Sequence, residues 1–359
     1  MDRIYLAALQ MVPGIGNRRL KQLVSFFGGA EQAWQASKRD LFSCKCLDQA
    51  TYDKMLRLRE KLDIAELAAK WQMQGIRLVR LTDLDYPALL KPIYDPPVLL
   101  YYRGQLPDGE DLIGIVGGRR ASAYGKNAAR MLGSELAAVG VCVVSGAARG
   151  IDTAAHQGAL SKGKTIAVLG CGVDVSYPPE NRDLLNRIAA HGAVISEYPP
   201  GTGPHPAFFP ARNRIISGLS RGVVVIEAAE RSGALITAEC ALDEGRDVFA
   251  VPGSIFSDTS QGGHNLIKQG AKLIDKTGDI VEEYPWLNDA KKPVQVDLQP
   301  DELAVYEQLG FDRPISLDEI VAATDLTVSA ISYIVLQMEL RGLVAEQGAQ
   351  CYVRTKGGI

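Results

Sequence analysis

Between residues 111 and 274 short apolar runs alternate with helical patterns, and this alternation limits the possible folds more than any other feature of the chain. Strand-like runs lie at 112–116, 141–145, 165–169, 193–196, 223–227 and 248–251. Helical patterns at 151–160, 181–190, 212–219 and 234–242 fall between them. Apolar strands joined by helices at this spacing predict an α/β protein, a doubly wound, mostly parallel sheet with helices on both faces. Ligands of such sheets bind beyond the carboxyl ends of the strands, so the loops leaving those ends are the place to look for function.

The loop after the first run reads Gly117-Gly118-Arg119-Arg120 and leads into a helical pattern with Ala129, Leu132, Leu136 and Val139 near one face. A glycine pair between a strand and a helix start exposes backbone N–H groups to an anion. Arginine adds two parallel hydrogen bonds to a phosphate. Taken alone, the loop fits a plain turn with solvated arginines equally well. A second loop, Ser145-Gly146-Ala147-Ala148-Arg149-Gly150, opens a helix whose first turn holds Asp152 and Thr153, each a possible cap. The third run ends in Gly170-Cys171-Gly172, and Phe208-Phe209-Pro210-Ala211-Arg212-Asn213-Arg214 stands where another helix starts. Several such loops along one edge suit a chain of phosphates. Aromatics beside them (Tyr177, Phe208, Phe209) suit unstacked bases, each stack contributing roughly 1–3 kcal/mol. At least one of the two phenylalanines is expected in the core.

The 359 residues leave room for two or three domains, and 47% are apolar, too many for a disordered chain. No apolar run approaches the roughly 20 residues of a membrane span, and the N-terminus has no signal-peptide pattern. Cys142, Cys240 and Cys351 lie in apolar patterns and are expected as small buried hydrophobes, while Cys44 and Cys46 lack a second pair to complete a zinc site. A reduced, cytoplasmic protein without a metal or cofactor is expected. A net charge of −3 argues against wholesale nucleic-acid binding but not against a local basic groove.

Residues 1–65 read as short helices. Within them Val12-Pro13-Gly14-Ile15-Gly16-Asn17 suits either the phosphate-gripping turn of a helix-hairpin-helix or a tight turn between packed helices. Strand-like runs at 76–81 and 98–102, separated by prolines, form an entry section to a central domain over 66–286. A polar, lysine- and proline-containing linker is expected at 287–300. Over 301–359, helices at 301–309, 316–323 and 329–341 and a hairpin at 344–353 follow the order of a winged helix. The helix in the recognition position offers only Arg341 as a basic group, so protein interaction or weak DNA binding is expected there and not sequence reading.

Two longer stretches carry a resemblance. Residues 145–156 (Ser-Gly-Ala-Ala-Arg-Gly-Ile-Asp-Thr-Ala-Ala-His) and 209–219 (Phe-Pro-Ala-Arg-Asn-Arg-Ile-Ile-Ser-Gly-Leu) closely resemble motifs of the DNA-processing protein A family, also called Smf. So do Tyr177-Pro-Pro-Glu-Asn181, Ser196-Glu-Tyr-Pro199, Ser232-Gly-Ala-Leu-Ile-Thr237-Ala and Val251-Pro-Gly253, and the resemblance runs from about 84 to 282. It implies an extended Rossmann-like domain over 66–286, a helix-hairpin-helix or SAM-like module before it and a winged-helix domain after it. It further implies a protein that binds and protects single-stranded DNA and helps load the RecA recombinase during natural transformation, without catalysis.

By position, the implied DNA contacts are Gly117, Gly118, Arg119, Arg120, Ser145, Gly146, Arg149, Gly150, Phe209, Arg212, Asn213 and Arg214. The implied homodimer is built through His264, Ile267 and Leu273. There are departures. Gly118 stands where members often have serine or threonine, Ala147 replaces a leucine, and residues 203–207 lack a basic group unless His205 substitutes. A Rossmann-like nucleoside monophosphate hydrolase is the alternative. Its Pro-Gly-Gly-x-Gly-Thr-x-x-Glu helix start is absent, since residues 232–239 have no glycine run. No Walker sequence or Gly-x-Gly-x-x-Gly opens a βα unit either. Glu197 and Glu227 are expected to cap or to pair with arginines at the same edge.

Overall fold

In the computed structural model the described residues are 2–107, 111–284, 286, 298–311, 313–324, 326–348 and 350–355. The expected linker at 287–300 lies outside them except for its last three residues. The chain divides into two units, Met1–Gly109 with Ile166–Leu219, and Glu110–Thr165 with Ser220–Ile359.

The first unit opens with helices α1 (Asp2–Gln10), α2 (Asn17–Phe27), α3 (Ala30–Gln35), α4 (Lys38–Ser43), α5 (Gln49–Arg59) and α6 (Ile64–Met73). Side-chain caps mark three of the starts: Ser37 accepts from Asp40 N–H at 3.3 Å, Asp48 from Thr51 N–H at 2.8 Å and Asp63 from Ala65 N–H at 2.8 Å. Leu9, Leu20, Leu23, Leu41 and Met55 are fully buried among these helices. Cys44 and Cys46 have sulfurs 2.9 Å apart. Burial, with the neighbouring thiol, pushes Cys46 up to about 12, so it stays protonated at neutral pH. The strands β1 (Arg77–Arg80) and β2 (Leu99–Gly104) then pair antiparallel, with Arg77 opposite Tyr102.

The second unit holds β3 (Leu112–Gly117), α7 (Ala123–Ala138), β4 (Cys142–Ser145) and α8 (Ile151–Ala159). The chain then returns to the first unit for β5 (Thr165–Leu169), α9 (Arg182–His191), β6 (Ala193–Ser196) and α10 (Phe208–Leu219). There β6 lies parallel to β5 and antiparallel to β2. Back in the second unit come β7 (Gly222–Ile226), α11 (Gly233–Asp243), β8 (Asp247–Ala250), α12 (Gln261–Lys268), β9 (Lys272–Leu273) and α13 (Thr277–Val281). The strands of this unit run in the order β4-β3-β7-β8-β9, and the pairings β3 to β4, β3 to β7, β7 to β8 and β8 to β9 are all parallel. Residues of β3, β4 and β7 are buried on both faces, the state in which a parallel strand reads as an unbroken apolar run. Their core joins Ile113, Ile115, Leu132, Leu136, Val143, Ile151, Val224 and Phe249. The α/β class read from the alternation is the one observed.

The chain ends in α14 (Pro300–Gln308), β10 (Ile315–Ser316), α15 (Leu317–Ala323), α16 (Val328–Leu340), β11 (Val344–Glu346) and β12 (Cys351–Arg354). The three strands pair as β10-β12-β11, which adds a short strand to the expected winged-helix pattern. Val305, Ile320, Ile331, Val335 and Met338 form its separate core. Cysteine burial departs from expectation at two positions. Cys142 is buried, but Cys240 and Cys351 are only half-buried. No single helix among the described residues is long and apolar enough to cross a membrane.

Candidate nucleic-acid interface

Strand β3 has β4 on one side and β7 on the other, so the chain reverses its direction of winding there. This is the switch point at which doubly wound sheets place ligands. The end of β3 is pressed hard against its neighbours. A Cβ at Gly117 would lie 1.9 Å from the Ile226 carbonyl and 2.6 Å from the Ile151 side chain. One residue on, Gly118 N–H donates to the Glu227 carbonyl at 2.7 Å. With the backbone held, Arg119 and Arg120 project to the surface.

Ser122 caps α7, accepting from Gly125 N–H at 3.1 Å, and Glu227 holds Ser122 in turn. Its carboxylate accepts from Ser122 N–H at 2.8 Å and from the Ser122 hydroxyl. Glu227 thus spends its charge on the start of α7, in keeping with the capping role expected for it. Replacing Glu227 by alanine removes a charged acceptor from two part-buried donors, so thermal or urea unfolding should show a loss of about 2–3 kcal/mol. Glu227→Gln, which keeps an acceptor, should lose less.

The loop from β4 locks onto the first. Gly150 has φ +80° and ψ −120°, and a Cβ there would meet the Gly118 carbonyl at 2.3 Å and the Arg119 carbonyl at 2.8 Å. Ile151 N–H donates to the same Gly118 carbonyl at 3.3 Å. Arg119 and Arg149 therefore stand on two loops joined backbone to backbone, and Arg149 is exposed. Asp152 and Thr153, each a possible cap, lie inside α8, whose cap position is taken by Gly150 without a side chain. They staple the loop instead. Asp152 accepts from Ala148 N–H at 3.2 Å and Thr153 Oγ1 donates to the Ala148 carbonyl at 2.7 Å. Ser145, expected as a DNA contact, is buried and its hydroxyl donates to the Ile115 carbonyl at 2.6 Å, so it braces two strands. Gly146 is buried beside it. Ala147 and Glu227 both adopt left-handed backbone, φ +52° and +49°. Conformations that a side chain resists collect where function imposes them.

In the first unit the expected residues are placed differently. Arg212 is 5% exposed and donates to the Val168 carbonyl of β5. Asn213 is buried with it. Arg214 pairs with Glu197 at 2.7 Å and Asp95 at 3.5 Å. Burial opposes its charge, yet Glu197 and Asp95 more than offset this and raise its pKa. The expectation that both arginines track phosphates is corrected here: their guanidinium groups serve protein acceptors. Neither phenylalanine is a core residue, again contrary to expectation, since both are half-buried. Phe209 lies across Gly170, where a Cβ would come within 3.0 Å of its ring, and 5.5 Å from Tyr177. Phe208 stacks on Tyr198 at 4.1 Å, whose hydroxyl burial and the neighbouring Glu197 push up to about 12. His205, 5.2 Å from Phe208, is exposed.

His264 and Ile267 on α12 are half-buried, with His264 Nε2 3.1 Å from the Gly253 carbonyl, and Leu273 is exposed on the terminal strand β9. Among the described residues no group of three or more His, Cys, Asp or Glu is arranged to hold a metal.

The family model described as DNA recombination-mediator protein A matches residues 77–285, and that of the DprA winged helix domain matches 289–350. The chain is similar to Protein Smf of Synechocystis, 34% identical over 98% of this chain and 99% of the relative. It is similar to the X-ray structure of DNA processing protein A from Streptococcus pneumoniae, with a TM-score of 0.65 at 38% identity, covering 78% of this chain and 96% of that one. DNA processing protein A from Helicobacter pylori, solved for its single-stranded DNA binding mode, matches with a TM-score of 0.53 at 30% identity over 60% of this chain and 97% of that one.

Proposed function

Because the chain belongs to the DNA recombination-mediator protein A family, we propose that it binds single-stranded DNA by its phosphates at the carboxyl edge of the parallel strands. The observation that carries this reading is the pair of interlocked loops that present exposed Arg119, Arg120 and Arg149 beside the starts of α7 and α8. Helix N-termini and arginine together attract anions, and fixed backbone spares the cost of ordering the loops on binding. Phosphate contacts position a strand without reading it, so sequence preference is slight. The bound strand is protected and handed to the RecA recombinase in the cytoplasm, and no bond is made or broken. Two copies joined through His264, Ile267 and Leu273 present two sites, and a long strand then gains by effective concentration.

The test is fluorescence anisotropy of a labelled oligonucleotide, single-stranded against duplex, over a salt series with the full chain. Salt-sensitive preference for the single strand supports the reading. No binding at low salt, together with release of base or phosphate from nucleoside monophosphates, replaces it with a nucleotide hydrolase.

A further inference from the structure

The loop leaving β8 carries two large apolar side chains that the fold leaves uncovered, Ile255 at 80% and Phe256 at 92% exposure. They occupy the central positions of a turn closed by Ser257 N–H to the Ser254 carbonyl at 3.1 Å, places that ordinarily take Gly, Pro, Asn, Asp or Ser. The turn is pinned. Phe256 N–H donates to Ser254 Oγ at 3.2 Å, and Ser257 Oγ lies 2.8 Å from Thr259 Oγ1. Its base is tied to the first turn of α7, where the Tyr124 hydroxyl donates to the Pro252 carbonyl at 2.7 Å. Because β8 runs parallel to β7 and β7 to β3, this loop leaves the same edge as the Arg119–Arg120 loop.

An aromatic face on the same sheet edge as cations that take phosphates is a combination by which proteins hold unpaired strands without regard to sequence. We infer that Phe256 is a stacking platform for an unpaired base, with Ile255 covering the adjoining sugar. The inference rests on the proposed single-strand binding and adds to it a stacking surface that the phosphate-binding loops lack. It also predicts a preference for the single strand over duplex, because bases in a duplex are already stacked and offer the ring no free face. Phenylalanine carries no hydrogen-bonding group, so any base serves.

The experiment compares wild type, Phe256→Ala and Phe256→Trp on an oligothymidylate and on an abasic strand of the same length, across salt. Phe256→Ala should weaken oligothymidylate binding about tenfold, within the range of one base–aromatic stack. It should leave the salt slope unchanged and match wild type on the abasic strand. Phe256→Trp should keep the affinity, with emission quenched by the oligonucleotide beyond any change in the three native tryptophans. Three results overturn the inference alone while wild type still binds: unchanged affinity in Phe256→Ala, an equal loss on abasic DNA, or a change of sedimenting mass that assigns the side chain to an interface between copies. Failure of wild type to bind at low salt overturns the single-strand reading and this inference with it.

Discussion

Replacing Arg119 and Arg149 together by alanine should cost about 3 kcal/mol of single-strand affinity, the sum of two charge-assisted hydrogen bonds to phosphate. The same variant should flatten the dependence of log K on log salt by roughly 1.4, about 0.7 for each phosphate no longer neutralised. The effect should be the same on unrelated sequences, since neither guanidinium reads a base. Both residues are exposed, and an unfolding temperature measured alongside separates a weakened interface from a damaged fold. An unchanged salt slope in a folded variant would remove these two residues from the interface. The magnitude depends on the two loops acting as one. Arg119 and Arg149 are far apart in sequence, yet their loops meet backbone to backbone at Gly118 and Gly150.

Gly150→Ala tests that junction. Its φ of +80° and ψ of −120° belong to a region that side chains avoid, at a cost of about 1–3 kcal/mol. The new methyl would also meet the Gly118 carbonyl at 2.3 Å, a carbonyl that already accepts from Ile151 N–H at 3.3 Å. Overpacking adds about 1–3 kcal/mol. The variant should therefore lose roughly 2–6 kcal/mol in chemical denaturation and, where folded, bind single strands far more weakly because the arginines are no longer held together. Gly140→Ala is the control. Gly140 has φ +86° with nothing within 4 Å of the added Cβ, so only the backbone strain of about 1 kcal/mol applies. Equal losses in the two variants would show that the loops are not locked.

Much of the sheet is legible in the sequence. The runs expected at 165–169 and 193–196 coincide with β5 and β6, because strands buried on both faces must be apolar at nearly every position. Local signals fail where an element is short or its start is unusual. Strand β10 has two residues, too few for any alternation. Helix α10 begins at Phe208, at the head of the stretch where a helix start is expected but four residues before the apolar pattern at 212–219, since Pro210 falls in the first turn, where its missing N–H costs nothing. Phe256 gives almost no signal in the sequence, although it stands just beyond Val251-Pro-Gly253. The signal is a pair of large apolar residues between two serines, and turn composition by itself does not say which side chains reach solvent.

What the sequence by itself determined is the order of strands and helices, the glycine-bearing loops at their ends and the family to which the chain belongs. These depend on residues within a few positions of one another, through steric preference and the period of burial. Only the tertiary structure decided which arginines reach the surface. Arg212 meets the carbonyl of Val168, and Arg214 meets Glu197 and Asp95. Arg119, Arg120 and Arg149 emerge on loops anchored by Gly117, Gly150 and Glu227. A guanidinium is drawn into the protein or carried to its surface according to the acceptors that folding brings beside it, and those acceptors come from distant parts of the chain.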